Sequence, residues 1–391
     1  MRLRHVFFIG YSCIYFRSSH SFSIQLVFSH HIFMLTVIIF IIILGILIFV
    51  HELGHFFVAK KNGVKVEEFG FGFPPRIFGV KRGETIYSIN LIPLGGFVKI
   101  FGEDGQEKEN HHSFAAKKVW QRAIILVAGV AMNVLLAIFL LSLGNIIGTP
   151  TAIEDSQNVE GAKVQITVVA FQSPAEQAGI KAGDIFIKMS GGSGQLSDII
   201  KVSQVQDFTE KNKGQEISVF LERGKNQIEL KLTPRANPPQ EEGAMGVGLA
   251  RVAVISLPWH RAIYEGAVSV FALAWLILTA VGNLFWHLVT TGKTTGEITG
   301  PVGIFQITGQ AAQMGFIYLL NLTALLSINL AIINALPFPA LDGGRLLFLL
   351  IEKIKGSPVS QKIERTIHSA GFVFLIILMV LITARDVMKI F

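Results

Sequence analysis

Met34 to Val50 is a run of seventeen residues without a charge, and it passes directly into His51-Glu52-Leu53-Gly54-His55 and then Phe56-Phe57-Val58-Ala59. At 1.5 Å per residue such a run, with its flanks, can cross a hydrocarbon core of about 30 Å. Lipid offers backbone amides no partner, so a segment of this kind is restricted to helix. Three further runs read the same way: Ala123 to Ile147, Phe316 to Leu336 and Ala370 to Ala384. A fifth, Ala262 to Val289, holds Glu265, Asn283 and His287, and hydropathy alone leaves it ambiguous.

Composition narrows the classes available. Only 16% of the residues are charged, against about 25% in an ordinary soluble domain, which excludes a disordered or nucleic-acid-binding tail and leaves no nucleic acid among the expected partners. The single cysteine, Cys13, can form neither an internal disulfide nor a Cys-rich zinc module. Any metal site must come from His, Asp and Glu. The net charge of +7 is unevenly placed: Lys60, Lys61, Lys65, Lys117, Lys118 and Arg122 lie between the first two runs, and Arg345, Lys353, Lys355, Lys362 and Arg365 follow the third. By the positive-inside rule both segments are cytoplasmic.

Between these runs the texture changes. Residues 155–236 carry charges, Gly turns and alternating pieces such as Val164-Gln-Ile-Thr-Val-Val and Ile228-Glu-Leu-Lys-Leu, the pattern of a β-rich soluble domain. Residues 60–119 form a loop with strand-like pieces and the turn Pro93-Leu-Gly95-Gly96. Residues 1–33 have Arg2 and Arg4 ahead of a short apolar stretch but no small-residue cleavage site, so they read as an extension upstream of a true start at Met34.

His51-Glu52-Leu53-Gly54-His55 is the HExxH pattern. On a helix, positions i and i+4 share a face, so both imidazoles can hold one zinc while Glu52 reaches water beside it. His51 stands about 26 Å along the run, still inside the apolar core. Ionised groups at the membrane centre cost roughly 2.5–3.5 kcal/mol each unless paired or metal-bound, less towards the interface, which argues against a pair of incidental helix-end histidines. A catalytic zinc needs a third protein ligand and an open position. Glu67 and Glu68 are available but lie in a charged loop. Asp342 is the better candidate: it stands in Asn334-Ala-Leu-Pro337-Phe-Pro339-Ala-Leu-Asp342-Gly343-Gly344, where two prolines break a helix and two glycines permit close backbone approach. An ordinary Pro/Gly turn with Asp as the next N-cap would look the same in isolation.

HELGH at the end of the first run, NxxPxPxLDGG at the end of the third and Ile92-Pro-Leu-Gly-Gly-Phe-Val-Lys between them together resemble the site-2 protease family of intramembrane zinc metalloproteases, in its bacterial sigma-E-regulating branch. The resemblance runs from Met34 nearly to the C-terminus. It implies zinc (Zn2+) held by His51, His55 and Asp342, Glu52 as general base, and substrate contacts at Asn334, Pro337, Gly95 and Gly96. It also implies that Phe69 through Val98 is a membrane-associated β-hairpin loop. Gly129 and Asn133 match the family's second span, while Val130 stands where the family has proline. Separately, Gln172-Ser173-Pro174-Ala175-Glu-Gln-Ala178-Gly179 through Gly183-Asp184-Ile185 resembles a segment of PDZ domains in bacterial proteases.

The expected fold is therefore a polytopic α-helical membrane protein with four transmembrane helices (34–59, 120–148, 315–341, 369–388), an inserted PDZ domain at 155–236 and a cytoplasmic loop at 342–368. Segment 258–292 is expected to be interfacial, because a full crossing there would put Asp342 on the face opposite His51. The expected activity is cleavage of transmembrane segments of single-span membrane proteins in the bacterial inner membrane, with the PDZ domain outside the cytoplasm reading a peptide or substrate ectodomain. A metal transporter and a non-enzymatic PDZ scaffold are the alternatives.

Overall fold

The computed structural model describes residues 22–105, 107–170, 172–224, 226–239, 242–292 and 299–388. The helices are α1 (Phe22–Lys61), α2 (Val119–Ile147), α3 (Pro174–Gln177), α4 (Val202–Lys211), α5 (Trp259–Thr291), α6 (Pro301–Met314), α7 (Phe316–Ala335), α8 (Asp342–Lys355) and α9 (Gln361–Met388). The strands are β1 (Val66–Arg82), β2 (Thr85–Ile100), β3 (Thr149–Ala152), β4 (Lys163–Val169), β5 (Ile185–Gly191), β6 (Gly194–Ser197), β7 (Ile217–Arg223), β8 (Asn226–Leu232) and β9 (Val247–Ile255). The chain forms two compact units, one centred on Asn145–Leu257 and the other gathering Val27–Gly144, Pro258–Gly309 and Leu319–Phe391.

The helical unit takes its order from polar and small residues set in apolar helices. Gly54 lets α1 meet α2 closely, since a Cβ there would lie 2.7 Å from the Ala128 carbonyl carbon and 2.8 Å from Met132. The hydroxyl of Ser327 on α7 donates to the Asn133 carbonyl of α2 at 2.8 Å. Contacts at Gly54 with Ala128 and at His55 with Ile125 run in opposite chain directions, so α1 and α2 are antiparallel. At the far end of α1, the Phe33 and Phe40 rings meet Phe305 of α6 at 5.5 and 5.7 Å. There too Asp386 of α9 accepts hydrogen bonds from the Gly300 and Gly303 amides that open α6.

Five helical segments are long and apolar enough to cross a membrane: Phe33–Lys61, Val119–Ile147, Trp259–Thr291, Phe316–Ala335 and Gln361–Met388. The sequence offers the same five apolar runs, of which four are expected to cross; α5, over the fifth, is a single continuous helix. Two other boundaries differ. Helix α9 begins at Gln361 rather than 369, and α8 occupies much of the expected cytoplasmic loop, with Asp342 as its first residue and Leu341 as its N-cap. Helix α1 begins at Phe22, and of the expected extension 1–33, residues 1–21 lie outside the described residues.

Within the loop at 60–119, the hairpin expected from Phe69 through Val98 is a four-limbed sheet made by two long strands, β1 and β2, that each fold in the middle. Residues Val66 to Phe71 pair on one side with Gly96 to Ile100 and on the other with Ile86 to Ile89. Arg76 to Arg82 pair with Thr85 to Asn90 at the outer edge. That edge exposes Ile77, Phe78, Val80, Ile89 and Leu91, an apolar surface suited to lipid, whereas Val66, Phe69 and Ile100 bury against Phe56, Ile125 and Leu349.

The β-rich unit is a seven-stranded sheet in the order β3-β9-β4-β5-β7-β8, with β6 on β5. It takes in β3 and β9, both outside the expected 155–236, because β9 pairs along six positions of β4 and fills its otherwise open edge. Its core is Val164, Ile166, Phe186, Met189, Val219 and Leu221 with their neighbours. The motif residues are structural here: Ser173 caps α3 by accepting from the Glu176 amide, and Asp184, 1% exposed, takes two hydrogen bonds of 2.7 Å from Arg223. Removing one partner strands a buried charge. Arg223→Ala is therefore expected to destabilise this unit by about 3 kcal/mol, read as the denaturation midpoint of the β signal; an unchanged midpoint would mean water replaces the guanidinium.

Candidate metal centre

The site forms where α1, α2 and the start of α8 converge. His51 and His55 lie one turn apart on α1 and are both buried. Their Nε2 atoms are 3.2 Å apart and lie 3.0 and 3.2 Å from Oδ2 of Asp342. Among the described residues this is the group of His and carboxylate ligand atoms found within 4.8 Å of one another. Asp342 reaches it from the loop that follows α7. Cβ atoms on Gly343 and Gly344 would lie 2.6 and 2.8 Å from the Ala335 and Phe338 carbonyl carbons, so the tight return requires glycine at both positions.

Helix α2 supplies the wall. Ile125, Gly129 and Asn133, spaced by four, lie along one face and meet the two imidazoles in turn. Nδ1–H of His55 donates to the Ile125 carbonyl at 2.8 Å, which leaves Nε2 as the lone-pair nitrogen a metal requires. Nδ1 of His51 lies 3.2 Å from the Asn133 amide nitrogen, while Oδ1 of Asn133 is buried without a hydrogen-bond partner among the described residues. Turning that amide by 180° lets Oδ1 accept Nδ1–H of His51, and both imidazoles then present Nε2 lone pairs to the same point. Two imidazoles, held from behind by Ile125 and Asn133, and one carboxylate fit a tetrahedral zinc with one position open. Gly129 leaves room for the rings, as a Cβ there would come 2.7 and 2.8 Å from Cε1 of His55 and His51.

Glu52 sits between the histidines, and its Oε2 accepts the Val98 amide of β2 at 3.2 Å. The approach of β2 is what Gly95 and Gly96 permit. Gly95 has φ 128°, and a Cβ there would lie 2.8 Å from Ile48, while Gly96 packs over Phe49 and Glu52. Asn334 is half-buried in the last turn of α7, and Pro337 is exposed in the following loop. Glu67 and Glu68 are engaged elsewhere, Glu67 with Lys99 and Glu68 with Arg76 and Ser88. Sequence reading recognised Gly129 and Asn133 as positions but assigned neither a part in the site; the available signal was a Gly and an Asn one turn apart in an otherwise apolar run.

A helix-borne HExxH joined by a distant carboxylate, in a bundle of apolar helices, defines a membrane metallopeptidase. The chain belongs to peptidase family M50, whose pattern it matches over residues 39–378. It is similar to the regulator of sigma-W protease RasP of Bacillus subtilis, 32% identical over 440 aligned residues covering 92% of this chain and all of the relative. The zinc metalloprotease RasP of Bacillus licheniformis is likewise 32% identical, covering 91% and 99%. A Clostridium perfringens protein grouped by name with the zinc metalloproteases is 35% identical over 343 residues, 87% of this chain and 95% of its own length.

Proposed function

We propose that this protein is a zinc-dependent endopeptidase that cuts the transmembrane segments of single-span membrane proteins. One observation carries the reading: the convergence of His51, His55 and Asp342 ligand atoms within 4.8 Å, with Glu52 beside them, at a helix, α1, apolar enough to cross lipid. Zinc in that position supplies Lewis acidity towards a carbonyl oxygen and towards water. Glu52 takes the proton from the attacking water and passes it to the leaving amine. A helical substrate must unwind before its scissile bond is accessible, since its amides are otherwise bonded internally. Asn334 carries both a donor and an acceptor for the unwound strand, and Pro337 leaves the adjoining backbone open to it. Gly95 and Gly96 bring the backbone of β2 beside Glu52, where an extended substrate can pair with it.

Four of the apolar helices, α1, α2, α7 and α9, serve as spans in this reading, and α5 lies across the interface. Chain reach supports it. Gly266 of α5 packs on Ser142 of α2, about 13 Å beyond the level of Asn133. Following α2 inward would carry Thr291 about 37 Å the other way. Gly300 precedes the first turn of α6, whose Phe305 and Gly309 meet Phe33 and Thr36 at the far end of α1. The chain would then have to climb about 45 Å with nine residues, whose reach is about 32 Å. With Cys13 replaced, a Thr290→Cys probe should react with an impermeant maleimide from outside the cell; labelling only from the cytoplasm would mean α5 is a fifth span.

The lysines and arginines flanking α1, α2 and α8 support a metal near the cytoplasmic side of a bacterial inner membrane, with the β-rich unit outside. That unit acts as a PDZ domain for a peptide or a trimmed substrate ectodomain. Anti-sigma factors and remnant signal peptides are the substrate classes this arrangement suits. Asn133→Ala should weaken zinc about 10- to 100-fold by freeing the His51 ring. Competition with a chromophoric chelator measures this, and unaltered affinity would remove Asn133 from the site.

A further inference from the structure

Three consecutive residues of the loop that delivers Asp342 each meet one residue of α9. The Ala340 amide donates to Nδ1 of His368 at 2.9 Å. Pro339 lies against Gly371, where a Cβ would come 2.7 Å from the Pro339 carbonyl oxygen. The Phe338 ring meets Phe374 with centroids 5.7 Å apart. His368, Gly371 and Phe374 follow at intervals of three, so they form one stripe on α9, and the loop runs along that stripe in the opposite direction. Ala340 itself has φ 76°, the left-handed region a residue with a Cβ rarely adopts, two positions ahead of Asp342. Nothing within the loop accepts its amide in that conformation; the acceptor comes from α9. The hydrogen bond also defines the imidazole: Nδ1 holds the lone pair and Nε2 holds the proton. With Arg122, Glu352 and Glu364, His368 lines a cavity of about 240 Å³. The ring is kept in that orientation by Phe348 of α8, 5.4 Å away.

We infer that His368, Gly371 and Phe374 are positioning residues for the metal: α9 touches neither zinc ligand nor substrate in the described contacts, yet it holds Ala340 left-handed and so sets where the Asp342 carboxylate arrives. The inference rests on the zinc reading above. It makes the last helix part of the metal site through hydrogen-bond acceptance at one nitrogen, which gives it a chemical signature distinct from packing.

The test measures zinc affinity of the full-length protein in detergent by chelator competition, with thermal melting to follow the fold. His368→Leu should weaken zinc about tenfold. His368→Asn, whose Oδ1 can stand where Nδ1 stood, should restore affinity to near that of the unaltered protein. Ala340→Gly added to His368→Leu should also recover affinity, because glycine takes a left-handed φ without the His368 bond. Gly371→Ala, which pushes Pro339 off the stripe, should weaken zinc and serves as the second probe if His368→Leu does not accumulate. Unchanged affinity in His368→Leu, or in Gly371→Ala where that is the probe, overturns the inference, as does a His368→Asn variant as weak as His368→Leu. If the unaltered protein binds no stoichiometric zinc, the metal reading itself fails, and this inference with it.

Discussion

Glu52→Gln is expected to leave zinc bound at one equivalent and to slow cleavage by about 10³-fold, the scale of a lost general base. The amide keeps the shape of the side chain and can still accept the Val98 amide that orients Glu52 now. What it loses is the capacity to take a proton from water and return one to the leaving nitrogen. Metal analysis alongside single-turnover cleavage of a single-span substrate separates the two effects. Loss of zinc together with activity would make Glu52 a ligand, and retained activity would place the base elsewhere.

Removing Asp342 acts on the other half of the site. Asp342→Ala leaves two imidazoles, His51 and His55, which hold zinc far more weakly than three protein ligands do. The expected result is substoichiometric zinc after dialysis and cleavage at background, while the melting of the β-rich unit stays unchanged because its core of Val164, Phe186, Met189 and Leu221 is built without Asp342. Full zinc loading with normal cleavage would show that the third ligand is another residue. The comparison with Glu52→Gln matters: one variant separates metal from turnover, and the other removes both.

The candidate metal ligands were legible because HExxH puts two imidazoles on one face of a helix and because broken backbone at membrane depth needs a reason. Asp342 could be nominated from its prolines and glycines, but its distance from His51 is a tertiary fact, 291 residues away in sequence. The α2 face was not legible. Gly129 and Asn133 look like ordinary small and polar interruptions of an apolar run until the imidazoles stand against them. The β-rich unit could be placed by its alternation, yet its edges could not, since β3 and β9 pair with each other across a hundred or more residues of sequence. Helix α5 shows the limit of hydropathy: its composition allows a crossing, and only the attachments at Gly266 and Gly300 argue that it lies across the interface. The stripe on α9 left no trace in composition or spacing, because a histidine near a helix start is common and its partner is a backbone amide.

One zinc held by His51, His55 and Asp342, with Glu52 as base, is proposed to serve peptide-bond cleavage inside the membrane. The most direct measurement places the purified protein in liposomes with a labelled single-span substrate and maps the product ends by mass spectrometry, with chelator and after zinc is returned. The expected result is a cut within the substrate's apolar segment, abolished by chelator, restored by zinc and absent in Glu52→Gln. Cleavage that persists in chelator, or that falls only outside the apolar segment, would contradict it.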